Sequence, residues 1–346
     1  MKILINLGLF VSIFLYPVSK VYQLIVFIRN LFFDFNIFKS VVFEIPIISI
    51  GNLSIGGTGK TPMVIKCARL LKIKNKNVAI LSRGYGRKSN GFVVVHNGNK
   101  MLVPVDQSGD EPYMMAKILG NVPIIVCEDR IKGIKQIIKF FSIDVIILDD
   151  GFQNRNLKKN LEIVCISSNE PQYNYKIIPF GRLRESVSSL KRADQVIITK
   201  VKKFDLTWQE NMIQKYFPRK ITKSKLKSEL YKIKNKNYIK TLIPQNPLFA
   251  FCGIGEPENF LESLKDLGIK ICGKIFFRDH QNYNNKIIDT LINRINSLGC
   301  NSLVTTEKDY VKLPQNIIDT FDIYIVRINV EFEDENLMIK SMLKLF

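Results

Sequence analysis

The sequence predicts an α/β fold built on an open, mostly parallel sheet, with a second, smaller α/β domain and an apolar helical segment at the N-terminus. An apolar run at residues 45–50 leads through a glycine-rich loop into a helical stretch. Strand and helix patterns then alternate to residue 200, and the alternation restarts at Leu248. The predicted boundaries are 1–38 for the N-terminal segment, 39–200 for the core, 201–245 for a basic, strand-rich linker and 246–346 for the smaller domain.

The glycine-rich loop has the composition of a phosphate-binding loop. Its residues are Gly56, Gly57, Thr58, Gly59, Lys60 and Thr61. Glycines let backbone N–H groups converge on phosphate oxygens, while Lys60 supplies a positive charge and Thr61 a hydroxyl for Mg²⁺. The common pattern has a glycine at position 54, where this chain has Ser54. A glycine turn that merely connects strand to helix is the alternative, but the strand-to-helix context favours a P-loop NTPase-like core.

The charge of the chain indicates the kind of partner, and its cysteine content indicates the redox compartment. The 346 residues include 51 Lys+Arg and 31 Asp+Glu, a net charge of +20, which indicates an anionic partner such as phospholipid, nucleic acid or a phosphorylated substrate. The six cysteines contain no C-x-x-C pair. We therefore expect buried thiols in a reducing compartment rather than disulfides or a metal site.

The first 38 residues are the most apolar part of the chain. A cleaved signal peptide is disfavoured because only Lys2 precedes the apolar run and no small-residue cleavage site follows it. Pro17 and Lys20 interrupt a run that would need about 20 apolar residues to span a bilayer. A spanning helix, a helical hairpin, a helix lying in the membrane surface and a buried helix all stay open, and the apolar length favours membrane contact.

Two acidic residues follow the most apolar strand, residues 143–148. Asp149 and Asp150 stand where a Walker B carboxylate holds Mg²⁺ at the carboxyl edge of a parallel sheet. A solvated turn is the alternative. The phosphate-binding loop upstream favours the metal site.

Several other polar residues follow predicted strands or precede helices. Arg83 lies in an Arg-Gly-Tyr-Gly-Arg turn after the strand at 77–82, where it meets either a ligand or solvent. Residues 92–95 and 100–105 have the pattern of a hairpin. Asp110 and Glu111 open a helix and could be caps, metal ligands or a base. Arg182 and Arg184 are spaced for an anionic group, and His280 is either a surface residue or a general base.

The most basic stretch lies in the predicted linker, at residues 217–240. It lacks the interleaved aromatic residues of RNA and single-strand binders, so we expect no nucleic acid. A solvated face and an anionic membrane surface are the two remaining interpretations, and the apolar N-terminus favours the membrane.

Taken together, the motifs resemble those of the lipid A 4′-kinase family (tetraacyldisaccharide 4′-kinase). The resemblance runs in order along nearly the whole chain. The matching segments are residues 49–62, Ser-Arg-Gly-Tyr-Gly-Arg at 82–87, Gly-Asp-Glu-Pro at 109–112, Asp-Asp-Gly-Phe-Gln at 149–153, Phe-Gly-Arg-Leu-Arg-Glu at 180–185, Asp-His at 279–280 and Val-Thr-Thr-Glu-Lys-Asp-Tyr-Val-Lys at 304–312.

The resemblance implies transfer of the γ-phosphate of ATP, with Mg²⁺, to the 4′-hydroxyl of a tetraacyl glucosamine disaccharide 1-phosphate. The reaction would occur at the cytoplasmic face of the bacterial inner membrane. By family match, Asp110 is the catalytic aspartate and His280 its partner, drawn from the two predicted domains, and Lys60 acts on the phosphates. Glu111 would lie near the metal, while Arg130 and either Arg182 or Arg184 would hold phosphates.

One position departs from the family pattern. Asn154 follows Asp-Asp-Gly-Phe-Gln where the family usually has histidine, which puts an acid–base role there in doubt.

Three other classes of protein are alternatives to the lipid A 4′-kinase family. A P-loop GTPase would need a guanine-reading aspartate, which Thr199-Lys200-Val201-Lys202 lacks. The second competing class is a kinase of a soluble metabolite, and the third is a nucleic-acid-dependent ATPase. The sequence leaves the acyl-chain preference and the oligomeric state open.

Overall fold

The computed structural model describes residues 2–202, 206–234 and 237–346, with side chains from residue 14 onward. Its helices are α1 (Lys2–Asp34), α2 (Lys60–Ile73), α3 (Val105–Ser108), α4 (Asp110–Leu119), α5 (Arg130–Phe140), α6 (Thr207–Gln214), α7 (Pro257–Asp266), α8 (Asn285–Asn296), α9 (Glu307–Tyr310), α10 (Gln315–Thr320) and α11 (Glu335–Leu343). Its strands are β1 (Ile47–Asn52), β2 (Val78–Ser82), β3 (Val93–Asn97), β4 (Pro123–Val126), β5 (Val145–Asp149), β6 (Leu161–Ser167), β7 (Gln195–Thr199), β8 (Thr222–Lys234), β9 (Asn237–Lys240), β10 (Leu248–Cys252), β11 (Ile271–Phe276), β12 (Ser302–Thr306) and β13 (Asp322–Phe332).

The chain forms two compact units whose boundaries differ from those predicted. Unit 1 comprises residues 1–83, 129–225 and 331–346, and unit 2 comprises residues 84–128 and 226–330. Residues 84–128 join the C-terminal part because α4 packs against α9. The chain end returns to unit 1, where Lys66 forms an ion pair with Glu335 at 2.6 Å. These pairings join residues distant in sequence, which composition along the chain does not reveal.

Unit 1 is built on a parallel sheet in the order β8-β7-β6-β1-β5-β2. Strands β1, β5 and β6 are buried along their whole length, as expected for a parallel sheet covered on both faces. The carboxyl ends of the central strands β1 and β5 therefore meet at one edge. This edge carries the glycine loop and the paired aspartates.

Unit 2 contains a second parallel sheet in the order β11-β10-β12-β13, with β8 beside β13 and β9 antiparallel to β8. The antiparallel pair of β3 and β4 belongs to the same unit. Apolar residues of β10, β12, β13 and α8 form its main core, with Phe249, Leu291 and Ile325 fully buried. The predicted mostly parallel α/β architecture is confirmed.

The N-terminal segment is one continuous helix, α1, which passes through Pro17 without a break. The helical hairpin considered from the sequence is therefore not formed. Ser19 Oγ donates to the Ile177 carbonyl at 2.7 Å, and Tyr22 Oη donates to the Arg184 carbonyl at 3.3 Å. Among the described residues, no helix is long and apolar enough to be a candidate membrane span.

Two local predictions were only partly right. The chain reverses after β3 as predicted, with Leu102 N donating to the Val95 carbonyl at 2.9 Å and a bridge between His96 and Met101, but residues 100–105 form no strand and β3 pairs with β4. The strands predicted within 201–245 are present as β8 and β9, but the stretch also holds α6, and β8 joins the sheet of unit 1 beside β7. At both places a strand takes a partner that is distant in the sequence.

The expectation of thiols without disulfides was also wrong for one pair. Cys272 and Cys300 form a disulfide across a separation of 28 residues. The other four cysteines are buried thiols, as expected. The spacing of the bonded pair matches no short motif, so their proximity was not readable from the sequence.

Candidate active site

The glycine loop of unit 1 joins β1 to α2 in a conformation that only glycine adopts readily. Gly56 has φ +107° and Gly59 has φ +80°, both in the region that L side chains rarely adopt. Helix α2 then begins at Lys60, and its N-terminal end adds partial positive charge. The local geometry agrees with a loop that presents backbone N–H groups to phosphate.

Neighbouring segments brace this loop. Asn52 Nδ2 donates to Thr58 Oγ1 at 2.9 Å, and Thr199 Oγ1 donates to the Thr58 carbonyl at 2.8 Å. The loop entry is paired with residues 182–184, since Ile55 N donates to the Arg182 carbonyl at 2.8 Å. Ser54, the position without the usual glycine, forms an isolated bridge with Leu183. This pairing fixes the loop entry without a glycine at 54.

The two aspartates at the end of β5 have different surroundings. Asp149 is buried, and its Oδ2 accepts from Ser82 Oγ at 2.9 Å. Asp150, at φ +57°, lies between two cations, with Lys60 Nζ 3.6 Å from Oδ1 and Arg184 Nη1 2.8 Å from Oδ2. Burial favours the protonated form of Asp150, but Lys60 and Arg184 outweigh it and lower the pKa of this carboxyl. Asp150 is therefore ionised near neutral pH.

The arginines predicted to bind phosphate differ in their contacts with the glycine loop and the end of β5. Arg130, at the start of α5, is buried and donates to the Asp149 carbonyl at 3.4 Å. Arg182 forms an ion pair with Glu170 at 3.5 Å and lies against Gly56. Arg83 follows β2 and is exposed, and no contact among the described residues places it against Lys60 or Asp150. The phosphate-binding roles of these arginines stay predictions.

Unit 2 brings together Asp110 and His280, which are 170 residues apart in the chain. His280 Nδ1 lies 3.0 Å from Asp110 Oδ2. Asp110 is the first residue of α4, after Gly109 at φ +86°, and His280 has φ +57°. Both residues belong to one unit, not to two domains as the sequence-based boundaries implied.

The electrostatics of this pair include residues that the sequence reasoning did not single out. Lys312 Nζ lies 3.2 Å from Asp110 Oδ2, and Lys308 Nζ lies 3.2 Å from His280 Nε2. Burial opposes ionisation of Asp110, but the hydrogen bond from His280 and the charge of Lys312 lower its pKa. Both lysines belong to the Val-Thr-Thr-Glu-Lys-Asp-Tyr-Val-Lys segment, so the motif was visible although its function was not.

The remaining predicted positions have separate surroundings. Glu111 neighbours Asp110 on α4, in unit 2, whereas Thr61, Asp149 and Asp150 belong to unit 1. Among the described residues, no group of three or more His, Cys, Asp or Glu side chains is arranged to hold a metal ion. Asn154 accepts a hydrogen bond from Lys159 through its backbone carbonyl, and its side-chain oxygen has no partner in the described part of the chain.

The strand, glycine loop and helix of unit 1, with Lys60 facing an aspartate at the neighbouring strand end, define an α/β protein of the P-loop class. Comparison with known proteins then places it in a family. A family model described as tetraacyldisaccharide-1-P 4′-kinase (LpxK) matches residues 11–346. The chain belongs to this family, and it is a kinase.

Individual relatives agree with this assignment. The tetraacyldisaccharide 4′-kinase of Desulfotalea psychrophila is 36% identical over 304 residues, which cover 86% of this chain and 87% of that protein. The enzyme of the same name from Chlorobium phaeobacteroides is 35% identical over 96% of this chain and 97% of its own. The crystal structure of LpxK from Aquifex aeolicus in complex with ATP superposes with a TM-score of 0.77 at 31% identity, covering 96% of this chain and 98% of that chain. The predicted family and kinase activity are thus confirmed.

Proposed function

We propose that this kinase transfers the γ-phosphate of ATP to the 4′-hydroxyl of a tetraacyl glucosamine disaccharide 1-phosphate, with Asp110 as the base. The observation that carries the assignment of the base is the geometry of its carboxylate. His280 and Lys312 both lie against Oδ2 of Asp110. Among the described hydrogen bonds none uses Oδ1, so this oxygen can accept the proton of the sugar hydroxyl.

The transfer then follows from these groups. Asp110 Oδ1 takes the proton of the 4′-hydroxyl while the sugar oxygen bonds to the γ-phosphorus. The bond from the γ-phosphorus to the bridging oxygen breaks, and ADP leaves with the electron pair. Lys60 and the N–H groups of residues 56–61 would hold the nucleotide phosphates. Phosphoryl transfer needs little covalent chemistry beyond this positioning and charge neutralisation.

The residues of unit 1 suit Mg²⁺. The Oδ1 atom of Asp150 is buried and has no hydrogen-bond partner in the described part of the chain, an arrangement that suits an ion ligand. Carboxylate and hydroxyl oxygens are the donors that this hard cation prefers, so Thr61, Asp149 and Asp150 would hold it. When bound, Mg²⁺ neutralises charge on the phosphate oxygens. Glu111 is not part of this proposed set.

We place the enzyme at the cytoplasmic face of the bacterial inner membrane, with α1 lying in the membrane surface. One side of α1 faces the rest of unit 1, where Ser19, Tyr22 and Asn30 form hydrogen bonds with residues 177–185. The other side exposes Phe14, Val18, Val21, Ile25 and Ile28, each at least 41% accessible. A continuous exposed apolar stripe of this kind supports contact with acyl chains or lipid.

The basic stretch at 217–240 supports membrane attachment less than its charge suggests. Five of its basic residues are paired with carboxylates, which reduces their contribution to an anionic surface. These pairs are Arg219–Asp194, Lys220–Asp334, Lys223–Glu210, Lys232–Asp322 and Lys240–Glu229. The apolar stripe of α1 is therefore the stronger basis for membrane contact.

A direct transfer assay tests the proposed reaction. Detergent-solubilised protein is incubated with Mg²⁺, γ-labelled ATP and the acylated disaccharide 1-phosphate, and the label in the lipid is measured. We expect transfer by the wild type and by Lys74→Ala, an exposed lysine on the surface next to α2, and none by Lys60→Ala. Nucleotide hydrolysis without labelled lipid would reject the proposed acceptor.

A further inference from the structure

The carboxyl end of α1 is bonded to the loop after β5, residues 150–156. Arg155 of this loop, whose side chain is 12% exposed, donates to the Asn30 carbonyl at 2.8 Å and to Asp34 Oδ1 at 2.6 Å. Its guanidinium also lies over the Phe33 ring, 5.1 Å from the ring centre. One side chain of the loop thus contacts three residues in the last turns of α1.

This end of α1 is stabilised by a cation that its own sequence does not supply. The last turn of α1 has no basic residue, and Asp34 adds negative charge where the helix dipole is already negative. The Arg155 guanidinium faces both the Asp34 carboxylate and a helix carbonyl, and its donors have a fixed, planar arrangement. Arg155 therefore holds α1 and the loop after β5 in one relative position.

A second arginine binds the same loop from the side of α1. Arg29 Nη2 donates to the Gln153 carbonyl at 3.4 Å and lies 3.7 Å from Glu185 Oε1. Glu185 is buried and also accepts from Asn30. Consecutive residues of α1 therefore contact both the loop after β5 and the segment at 182–185.

Gln153 connects these contacts to the proposed phosphate site. Its Nε2 donates to the Asn52 carbonyl at 2.9 Å, and its Oε1 accepts from Arg184 Nη1 at 3.4 Å. The same nitrogen of Arg184 lies 2.8 Å from Asp150 Oδ2, while Oδ1 of Asp150 lies 3.6 Å from Lys60 Nζ. A continuous series of contacts therefore leads from α1 through Gln153 to Lys60.

We propose that Arg29 and Arg155 are positioning residues for phosphoryl transfer, which hold the loop after β5 against α1 and thereby keep Asp150 opposite Lys60. Helix α1 then has two separate roles, the proposed lipid contact along its exposed stripe and support of the site at its carboxyl end. The inference rests on the proposed function for its kinetic consequence, but not for the dependence of the loop on the two arginines.

Hydrogen exchange of the full chain, measured by mass spectrometry, tests the loop without any substrate. The loop contains protected amides such as Asn154 N, which donates to the Gly151 carbonyl at 3.0 Å. In Arg155→Met we expect exchange about tenfold faster in peptides covering 150–156, because the loop opens locally, and wild-type exchange in peptides covering 56–61. Unchanged exchange in the loop, or a rise spread over all of unit 1, would overturn the inference.

Three further variants sharpen this measurement. Arg155→Lys keeps a positive charge for Asp34 but loses the planar fork, so its exchange should lie between those of the wild type and Arg155→Met. Arg29→Met removes one contact of 3.4 Å and should have a smaller effect on the same peptides. Wild-type exchange in Arg29→Met would exclude a role for Arg29. The control Arg219→Met removes an exposed arginine that is paired with a carboxylate of unit 1, and it should leave the loop unchanged.

Steady-state kinetics test the consequence for the reaction. We expect Arg155→Met to lower kcat about 100-fold, the loss that follows from a shift near 1 Å in the site. The KM for ATP should stay within about twofold, since Thr199 still braces the glycine loop. Arg155→Lys should recover part of the lost kcat. An unchanged kcat, or a loss expressed in KM for ATP alone, would overturn the role of Arg155.

Vesicle flotation separates this role from membrane attachment. Arg155→Met leaves the apolar stripe of α1 intact, so we expect it to float with phospholipid vesicles like the wild type. Loss of flotation would make Arg155 a residue of membrane attachment and contradict the positioning role. Absence of lipid phosphorylation by the wild type would instead reject the proposed acceptor, and the exchange measurement would still decide whether the arginines hold the loop.

Discussion

The side chain whose surroundings are most specialised is Asp110. It begins α4, accepts from His280 and has a buried lysine as its ion-pair partner. These contacts keep it ionised despite its burial, which suits a base that must be unprotonated before the hydroxyl arrives. The comparisons establish the family, and the individual site residues stay predictions that mutation can test.

Substitution of Asp110 by asparagine removes the proposed base while keeping its size. We expect kcat to fall about 100- to 10,000-fold, the range that general-base catalysis contributes. The KM for ATP should not change, because the residues proposed to bind its phosphates are in unit 1. The measurement is steady-state kinetics with the lipid acceptor, with the exposed Asp289→Asn as control. Turnover within a few-fold of wild type would assign the proton transfer to another group.

At the level of elements, the turn before α4 has a backbone conformation that depends on glycine. Gly109 has φ +86° and ψ 155°, a combination that is essentially restricted to glycine. A Cβ at this position would lie 2.9 Å from the backbone oxygen of Tyr85. The start of α4, and with it Asp110, therefore depends on this glycine.

Substitution of Gly109 by alanine should displace Asp110. We expect kcat to fall by about 100-fold because a shift near 1 Å in a catalytic group has this effect. Gly120 follows α4 at φ +65°, and a Cβ added there would meet nothing within 4 Å, so this position provides the matched control. Gly120→Ala should cost about 1 kcal/mol of stability and leave kcat unchanged. Equal kinetics in the two variants would show that the turn does not position Asp110.

A second element-level feature is the attachment of α1 to unit 1 through the buried Glu185. Its Oε2 accepts from Asn30 Nδ2 of α1 at 3.0 Å and from Arg192 at 2.9 Å. Burial opposes ionisation, but Arg192, Asn30 and Ser189 lower the pKa of Glu185. Because the pKa is lower in the folded state, the stabilisation is present above the pKa of an unfolded glutamate, about 4.3, and is lost as the pH falls through the lowered folded value.

Removing this carboxylate should destabilise the protein in a pH-dependent way. Glu185→Ala leaves the partly buried Arg192 without its charge partner, so we expect the free energy of unfolding at pH 7 to decrease by about 3 kcal/mol. The difference from wild type should shrink below pH 4. Urea unfolding at pH 7 and pH 3 measures both values. A difference that is equal at the two pH values would argue against an ionised Glu185 in the folded protein.

For the whole molecule, the composition and the comparisons indicate an enzyme that works on a lipid. The net charge of +20 favours contact with an anionic membrane surface, yet several basic residues are engaged in internal ion pairs. Burial of apolar side chains of α1 in lipid would bring the chain to a membrane without relying on charge. Attachment of this kind is expected to resist high salt.

Vesicle flotation of the full chain tests this attachment. We expect the wild type to float with phospholipid vesicles in 1 M salt. Serine at Val21, Ile25 and Ile28, all on the exposed stripe, should reduce binding about tenfold for each residue replaced. Ile73→Ser removes an even more exposed apolar residue from α2 and should float like the wild type. Release of the wild type by salt would favour electrostatic binding instead.

Much of the fold and part of the candidate site were predictable from the sequence. The runs predicted as strands at 77–82 and 143–148 correspond to β2 (Val78–Ser82) and β5 (Val145–Asp149), because short apolar runs bounded by turn residues determine them locally. The second strand of the predicted hairpin is not formed, and the place of the strand-rich linker was not predicted, because β3 and β8 take their partners from distant segments. Pairing between distant strands leaves no local signal.

The glycine loop and the family could be predicted from the sequence, and its motifs singled out Asp110 and His280 as candidate site residues, since backbone conformation and motif chemistry are properties of neighbouring residues. The folded structure was needed to show that residues 84–128 belong with 226–330, that Lys308 and Lys312 contact the Asp110–His280 pair, and which side of α1 is exposed. These features depend on contacts between residues far apart in the chain. Such contacts are formed by packing of the whole unit, which no single stretch of sequence specifies.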